Sequence, residues 1–400
     1  MGSFGQLLTI ANGLDTLEGV KGHFKKRGEK WYFWAELDPG PDGKRRQVSR
    51  GGFRTRREAE VGFAVYRDEV RRGGHVDTSR VRLQEYLVDE WLPAIKASVK
   101  ESTHAHYRRN VRQHLVPRLG AQRLSALSPA ALNAMYADLL ANGRADGTGG
   151  LAPKSVKEVH TILHKALHDA VRWGRIGRNP ADLAEPPTAR SPEMKIWSAE
   201  QLRTFLASVA DDRLSAMWLL FATTGMRRGE VLGLRWRDVD HRNSRVQVMQ
   251  ALNVVEYKLV FSEPKTNKAR RSVALDPVTA GALRSHRAAQ AAERLAWGEG
   301  WTDSGLVFTN EDGTPTNPQR ISRLFVRSAE RAGLPAIRLH DVRHSYASAA
   351  LAANMPAKVV SERLGHANIA ITLDTYSHVL PALQEDAAAK VAALILGDGL

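Results

Sequence analysis

Four separated stretches hold residue types that can act on a phosphate ester. They are TTGMRRGEVLGLRW (223–236), PKTNKARRSV (264–273), LHDVRHSYAS (339–348) and LGHANIAITLDTYSH (364–378). The last places a tyrosine, Tyr376, ten residues after His366. A phenol with its ordinary pKa near 10 is mostly protonated at neutral pH. It attacks only beside a base or in a positive field. Arg227 and Arg343 are permanently charged forks that suit the non-bridging oxygens of a phosphodiester, where charge grows in the pentacoordinate transition state. His340 and Arg343, three residues apart, share a face on a helix. Each residue also has a plain structural reading. Tyr376 reads equally as a packed aromatic, His366 as a capping or core histidine, and His340 with Arg343 as a surface ion-pairing face. Arg228 stands beside Arg227, and Lys268, Arg270 and Arg271 share a loop with Lys265.

Composition narrows the partners. The chain has 400 residues, enough for two or three domains, and a net charge of +15. Such an excess of cations points to a polyanion, most often nucleic acid. No cysteine is present, which excludes disulfides, thiolate nucleophiles and cysteine-type zinc sites, and suits a cytoplasmic protein. LLTIAN (7–12) is too short and lacks the charged flank of a signal peptide, and SAMWLLFATTG (215–225) is too short for a membrane span. His160, His164 and His168 line one helix face, but the HTILH segment lacks the acidic residue of HExxH. The expectation is therefore no metal and no cofactor, and none of the glycine motifs that cradle phosphates is present.

The elements that must position these residues read as follows. In residues 20–73, 15 Lys and Arg face 8 Asp and Glu. WYFWAEL (31–37) reads as a strand, PGPDGK (39–44) as a turn, and RRQVSRGGF (45–53) as the returning strand. Thr55 caps a helix over 56–73. Aromatic residues interleaved with Lys25, Arg27, Arg45, Arg46 and Arg50 suggest a β-ribbon that enters a DNA groove. Residues 82–175 read as almost all helix, with Ser102 or Thr103 capping one segment and Ser128 another. Thr103, Arg108, Arg109 and Lys154 are candidate phosphate contacts there. Four prolines in 178–196 read as a linker. SAEQ (198–201) is a capping box, and helices and strands mix after it. KLVFSEPKTNKARRSVAL (258–275) reads as a hairpin with a basic tip, 306–318 as a strand and turn, and 379–396 as an amphipathic terminal helix.

Taken together, TG-x-R, H-x-x-R, LGH and a tyrosine about ten residues on, in that order, make the chain resemble the tyrosine recombinase (phage integrase) family. The resemblance covers the catalytic domain end to end, and more loosely a helical domain and a small arm-binding-like domain. It implies a mainly α multidomain fold: a small β-sheet plus helix at the N-terminus, an all-helical core-binding domain, and an α+β catalytic domain. The expected bounds are 1–75 for the arm-type domain, 80–178 for the helical domain, 179–196 for the linker and 197–400 for the catalytic domain with its C-terminal helix. Residue by residue, Arg227 matches the first arginine, Lys265 the hairpin lysine, His340 and Arg343 the H-x-x-R pair, His366 the LGH histidine and Tyr376 the nucleophile. On this reading the arginines clamp the phosphate, His340 is the candidate base, His366 donates to a non-bridging oxygen, and Lys265 protonates the leaving 5′ oxygen.

The resemblance further implies a 3′-phosphotyrosyl intermediate, which conserves the energy of the broken phosphodiester without ATP. It also implies double-stranded DNA with core and arm attachment sites, a homo-tetramer on synapsed DNA, a directionality factor and a host DNA-bending protein. The terminal helix then packs on its own domain or on a neighbouring protomer. Two other readings stay open. One is a DNA-binding regulator without catalysis. The other is a type IB topoisomerase, which shares the chemistry but relaxes DNA without exchanging strands.

Overall fold

Alternating aromatic residues build the first sheet. β1 (Lys21–Arg27), β2 (Lys30–Leu37) and β3 (Arg46–Phe53) pair antiparallel in that order. α1 (Arg56–Arg71) follows, and Thr55 accepts the Glu58 backbone N–H at 3.1 Å. Phe24, Phe33, Val48 and Phe53 face Phe63 and Tyr66 of α1 and form a small core. The two-residue period sends Tyr32 and Trp34 to the opposite face, where their rings stack 6.1 Å apart. Lys25 pairs across from Tyr32 and His23 from Trp34, and the Arg27 guanidinium lies 5.1 Å over Trp34. Tyr32 covers Gly51, where a Cβ would come within 1.8 Å of the ring, so the site accepts only glycine. Arg50 is on the other side, 4.8 Å over Tyr66. The basic residues therefore divide: Lys25 and Arg27 line the helix-free face, and Arg50 the helix-packed one. Arg46 opens β3 opposite Leu37.

The computed structural model describes residues 21–37, 46–71, 81–189, 194–263, 270–366, 368–376, 391–392 and 394–395. Arg45, Lys265 and most of 379–396 lie outside them. The chain divides into two units between Arg190 and Ser191.

The rest of the first unit is helical. α2 (Leu83–Glu85) passes through a π-helical turn, Tyr86–Trp91, into α3 (Leu92–Ile95). α4 (Glu101–Asn110) passes through a second one, Val111–Leu115, into α5 (Val116–Leu119). α6 (Pro129–Asn142) and α7 (Pro153–Arg172) complete the bundle. Its core is apolar, but two buried polar groups tie α7 to the first helices. Tyr86 donates to the Ala166 carbonyl at 2.7 Å, and the Trp91 indole to Asp169 at 2.9 Å. Ser128 caps α6 by accepting the Ala131 N–H at 3.2 Å. Neither Ser102 nor Thr103 caps α4: both lie inside the helix, which starts at Glu101 with Lys100 in the extended region at the N-cap. Thr103 and Arg108 are half-buried on α4, while Arg109 and Lys154 are exposed. His160 bonds the Tyr136 hydroxyl and His164 bonds Asp182, each at 2.7 Å. The proline-rich stretch begins as a 3-10 turn, Pro180–Leu183, whose first two residues are buried against the bundle.

In the second unit α8 (Ala199–Ser208) starts at the capping box of Ser198 and Gln201. α9 (Ser215–Thr224) is buried almost all round and stops at Gly225, which adopts φ 63°. α10 (Arg228–Leu232) is a single short turn. Two small sheets follow. β4 (Val239–Asp240), β5 (Arg245–Val248) and β8 (Arg271–Ala274) form one in the order β4-β5-β8, and β6 (Ala251–Val255) with β7 (Lys258–Ser262) forms the other. The segment 258–275 is thus not a hairpin of its own. β7 turns back onto β6 through Glu256 and Tyr257, both at positive φ, and β8 crosses to β5, whose Val246 and Val248 need an apolar neighbour such as Val273. Residues 306–318 make isolated bridges rather than a strand. α11 (Pro277–Trp297), α12 (Pro318–Arg331) and α13 (Leu339–Ala352) enclose a core that includes Trp197, Phe205, Trp218 and Phe325, and α14 (Ala357–Leu364) and α15 (Ile369–Tyr376) pack on α13 in a smaller one.

Candidate active site

Two glycine turns bring the predicted residues together. Gly225 ends α9 and Gly365 ends α14, both in the left-handed region. A Cβ at Gly225 would meet Tyr346 at 2.5 Å and Leu364 at 2.7 Å, so α9 and α14 approach this closely only through glycine. The carbonyls freed at these ends become acceptors. Arg343, on α13 and 3% exposed, donates to Gly225 O and Leu364 O, each at 2.7 Å. Arg227, at the N-cap of α10, reaches Leu364 O at 3.4 Å and Gly365 O at 3.3 Å. The two guanidiniums therefore meet at one carbonyl. Burial, and then the nearby charge of Arg227, lower the pKa of Arg343, which still stays cationic near neutrality.

Glu230 holds this pair in place. It is 6% exposed and takes Arg227 at 2.9 Å and Arg271 at 2.8 and 3.2 Å. Burial opposes its charge, but the hydrogen bonds and charge of Arg271, with Arg227, keep its pKa below the usual carboxylate value. Arg271 also donates to the Arg363 carbonyl at 2.6 Å, which fastens the start of β8 to the end of α14. Three guanidiniums against one carboxylate leave a net positive locus, suited to an anion. Glu230→Gln strands two of those cations. We expect a loss of about 3 kcal/mol, read as a lower midpoint in urea unfolding, because a broken buried ion pair costs more than the pair contributes.

The histidines and the tyrosine border this locus. His340 keeps an exposed ring, but the surrounding protein and the charges of His344 and Arg343 push its pKa down to about 4. His366 shares a hydrogen bond with Thr372 at 2.8 Å, and burial with Arg343 and Arg227 brings it also to about 4. Both rings are therefore neutral at physiological pH. Tyr376 ends α15 with no exposed surface, among Tyr346, Ala347, Leu351, Val360 and Leu364. Burial raises its pKa to about 12, against the pull of Arg343. Its hydroxyl and His344 Nδ1 lie 2.8 Å apart. Beside the LGH turn an open cavity of about 720 Å³ is lined in part by Arg271, Lys358, Gly365 and His366.

Of the residues expected from the sequence, Arg227, His340, Arg343, His366 and Tyr376 gather in this one region. Arg228 instead bonds Ser322 at 2.6 Å, away from the pair. Sequence reasoning missed Glu230, Arg271 as a tether, and His344. The signals were present: Glu230 stands three residues after Arg227, as a capping box requires, and His344 stands four after His340, on the same helix face.

The chain has known relatives. Residues 196–382 match the phage integrase family, 23–61 an arm DNA-binding domain and 85–140 the phage integrase N-terminal SAM-like domain. The chain thus carries a phage integrase catalytic domain preceded by an arm DNA-binding domain and an integrase SAM-like domain. It is 28% identical to a XerC-like tyrosine recombinase of Caldanaerobacter subterraneus over 92% of this chain and 97% of that one. It is 27% identical to an integrase of Streptomyces ambofaciens over 91% and 94%. The fold is shared with the Tn1549 transposon integrase in complex with transposon right-end DNA, at a TM-score of 0.62 and 20% identity, over 74% of this chain and 98% of that one. It is shared too with a lambda integrase tetramer bound to a Holliday junction, at 0.52 and 16%, over 88% and 97%.

Proposed function

We propose that the chain is a site-specific DNA recombinase that integrates and excises a mobile element through a 3′-phosphotyrosyl bond to Tyr376. The observation that carries this reading is the meeting of Arg227 and Arg343 at the Leu364 carbonyl, with the Tyr376 hydroxyl bonded to the residue next to Arg343. The guanidiniums hold the two non-bridging oxygens of the scissile phosphate and neutralise the charge gained in the transition state. His366, neutral, donates to the same oxygens, and His340 stands three residues from Arg343 at the start of α13. Lys265 delivers a proton to the departing 5′ oxygen. The phosphotyrosyl bond keeps the phosphoryl group activated, so rejoining to another strand needs neither ATP nor metal. Tyr376 is fully buried, so a phosphodiester reaches it only after the elements that cover it move on DNA. That requirement links cleavage to assembly on the paired sites, in keeping with a tetramer and with accessory directionality and bending proteins acting on it in the bacterial cytoplasm. Arm sites are bound by the N-terminal sheet and core sites by the helical domain, with Thr103, Arg108, Arg109 and Lys154 near the backbone.

The test is a nicked duplex carrying the junction sequence found beside the gene. Cleavage lets the short strand diffuse away and traps a denaturant-resistant adduct on the peptide that contains Tyr376. Tight binding with no adduct would favour a regulator. Relaxation of plasmid lacking the junction, without strand exchange, would favour a topoisomerase. The two faces of the sheet give a second measurement. Lys25→Ala and Arg27→Ala each weaken arm-site binding and lower the dependence of log K on log salt by about 1, while Arg50→Ala, on the helix-packed face, leaves that slope unchanged.

A further inference from the structure

The proton of Tyr376 needs an acceptor. With a pKa of about 12 in its pocket, the phenol is ionised in only about one molecule in 10⁵ at pH 7. His340, the base carried over from the family pattern, does not touch it. Its ring meets His344 edge-on at 5.2 Å, and His344 in turn meets Tyr376 at 2.8 Å. His344 follows Arg343 on α13, so its ring is fixed with respect to the guanidinium that would grip the phosphate.

We propose that His344 is the general base of strand cleavage. Its Nδ1 takes the Tyr376 proton as Oη attacks phosphorus. The inference rests on the recombinase reading above. In the step, the Oη–P bond forms as the P–O5′ bond breaks. The phenol proton moves to Nδ1, and the departing O5′ takes a proton from the general acid. In the return step a 5′ hydroxyl attacks the same phosphorus and gives its proton to the conjugate base of the general acid, the Oη–P bond breaks, and His344 hands its proton back to Oη. Only the tautomer with Nε2 protonated can receive it, and the phenol then donates to Nδ1 in the resting state.

The surroundings keep the ring ready. Facing it are Arg338, His340, Asp341 and Arg343 on its own helix, His366 on the LGH turn and Tyr376 on α15. Burial, opposed by Asp341 and aided by Arg343 and Arg338, holds its pKa below the ordinary 6.5. The imidazole is therefore neutral and able to accept at pH 7. Acid removes that ability, so cleavage must slow as pH falls through the His344 pKa.

The experiment measures single-turnover adduct formation on the nicked junction duplex from pH 5 to 8. The native chain should show a one-proton limb with its midpoint below 6.5. His344→Asn places an amide oxygen near Nδ1, so it can still accept a hydrogen bond but cannot carry the proton. It should be about 10²- to 10³-fold slower and lack the limb. His340→Asn should be slower but keep it. A native profile without a limb overturns the proposal even if the variant does not fold. So does a folded His344→Asn with native rate and limb, since His344 then only packs the phenol. A native chain that forms no adduct at any pH refutes the recombinase reading itself, which is a separate failure.

Discussion

Tyr376→Phe binds the junction duplex as tightly as the native chain and forms no covalent adduct. The substitution removes the one atom at this position that can bond to phosphorus. It removes little else. The ring is enclosed by Tyr346, Leu351, Val360 and Leu364, and a phenylalanine fills the same space. The lost hydrogen bond to His344 costs about 1 kcal/mol, and part of that returns because a buried hydroxyl is no longer desolvated. The variant should therefore melt within a few degrees of the native chain and shift DNA on a native gel at the same concentration. An adduct that persists on denaturing gels would place the nucleophile elsewhere and remove the basis for every role assigned here.

The second large effect belongs to Arg343. We expect Arg343→Ala to lower the adduct rate by at least 10³-fold, about 4 kcal/mol of transition-state stabilisation, with DNA affinity changed far less. Arg343→Lys should not restore it. A lysine has its donors on one nitrogen, whereas Arg343 reaches the Gly225 and Leu364 carbonyls from two separate nitrogens of a planar fork, a geometry that an ammonium does not reproduce. Loss of the buried guanidinium also leaves those carbonyls without their donor, so a fall in rate alone could reflect a damaged fold. A neutral scissile phosphate separates the causes. On a duplex with a methylphosphonate at the cleavage position, one non-bridging charge is gone and so is much of the need for a second cation. The gap between native and Arg343→Ala should narrow by 10-fold or more on that substrate. If the deficit stays the same, Arg343 acts by holding the turns together rather than by facing the phosphate.

Much of the site was legible in the order of residues along the chain. Arg227, His340, Arg343, His366 and Tyr376 were each marked by a short motif, because chemistry on a phosphodiester requires charge types that have few substitutes. Their supports were less legible. Glu230 drew no reading from sequence, and only its burial between Arg227 and Arg271 makes it the counter-charge of the clamp. Arg271 looked like one of several cations on a basic loop. Its side chain is instead 7% exposed and bonded to the end of α14. The reading of 258–275 as one hairpin failed for a related reason. Alternation identifies strands but not partners, and β7 found β6 while β8 found β5.

By itself, the sequence determined that this is a basic, cysteine-free, mainly helical protein with a sheet-bearing N-terminal segment, and it marked one tyrosine among arginines and histidines as the candidate site. Those features depend on residue type and local period, which the chain carries wherever it folds. Only the tertiary structure decided which charges face one another. It chose Arg227 over Arg228, put His344 rather than His340 against the phenol, and sealed Tyr376 from solvent. Such outcomes arise where α9, α13, α14 and α15 converge at two left-handed glycines, and contacts between residues 21 to 138 positions apart leave no trace in local spacing.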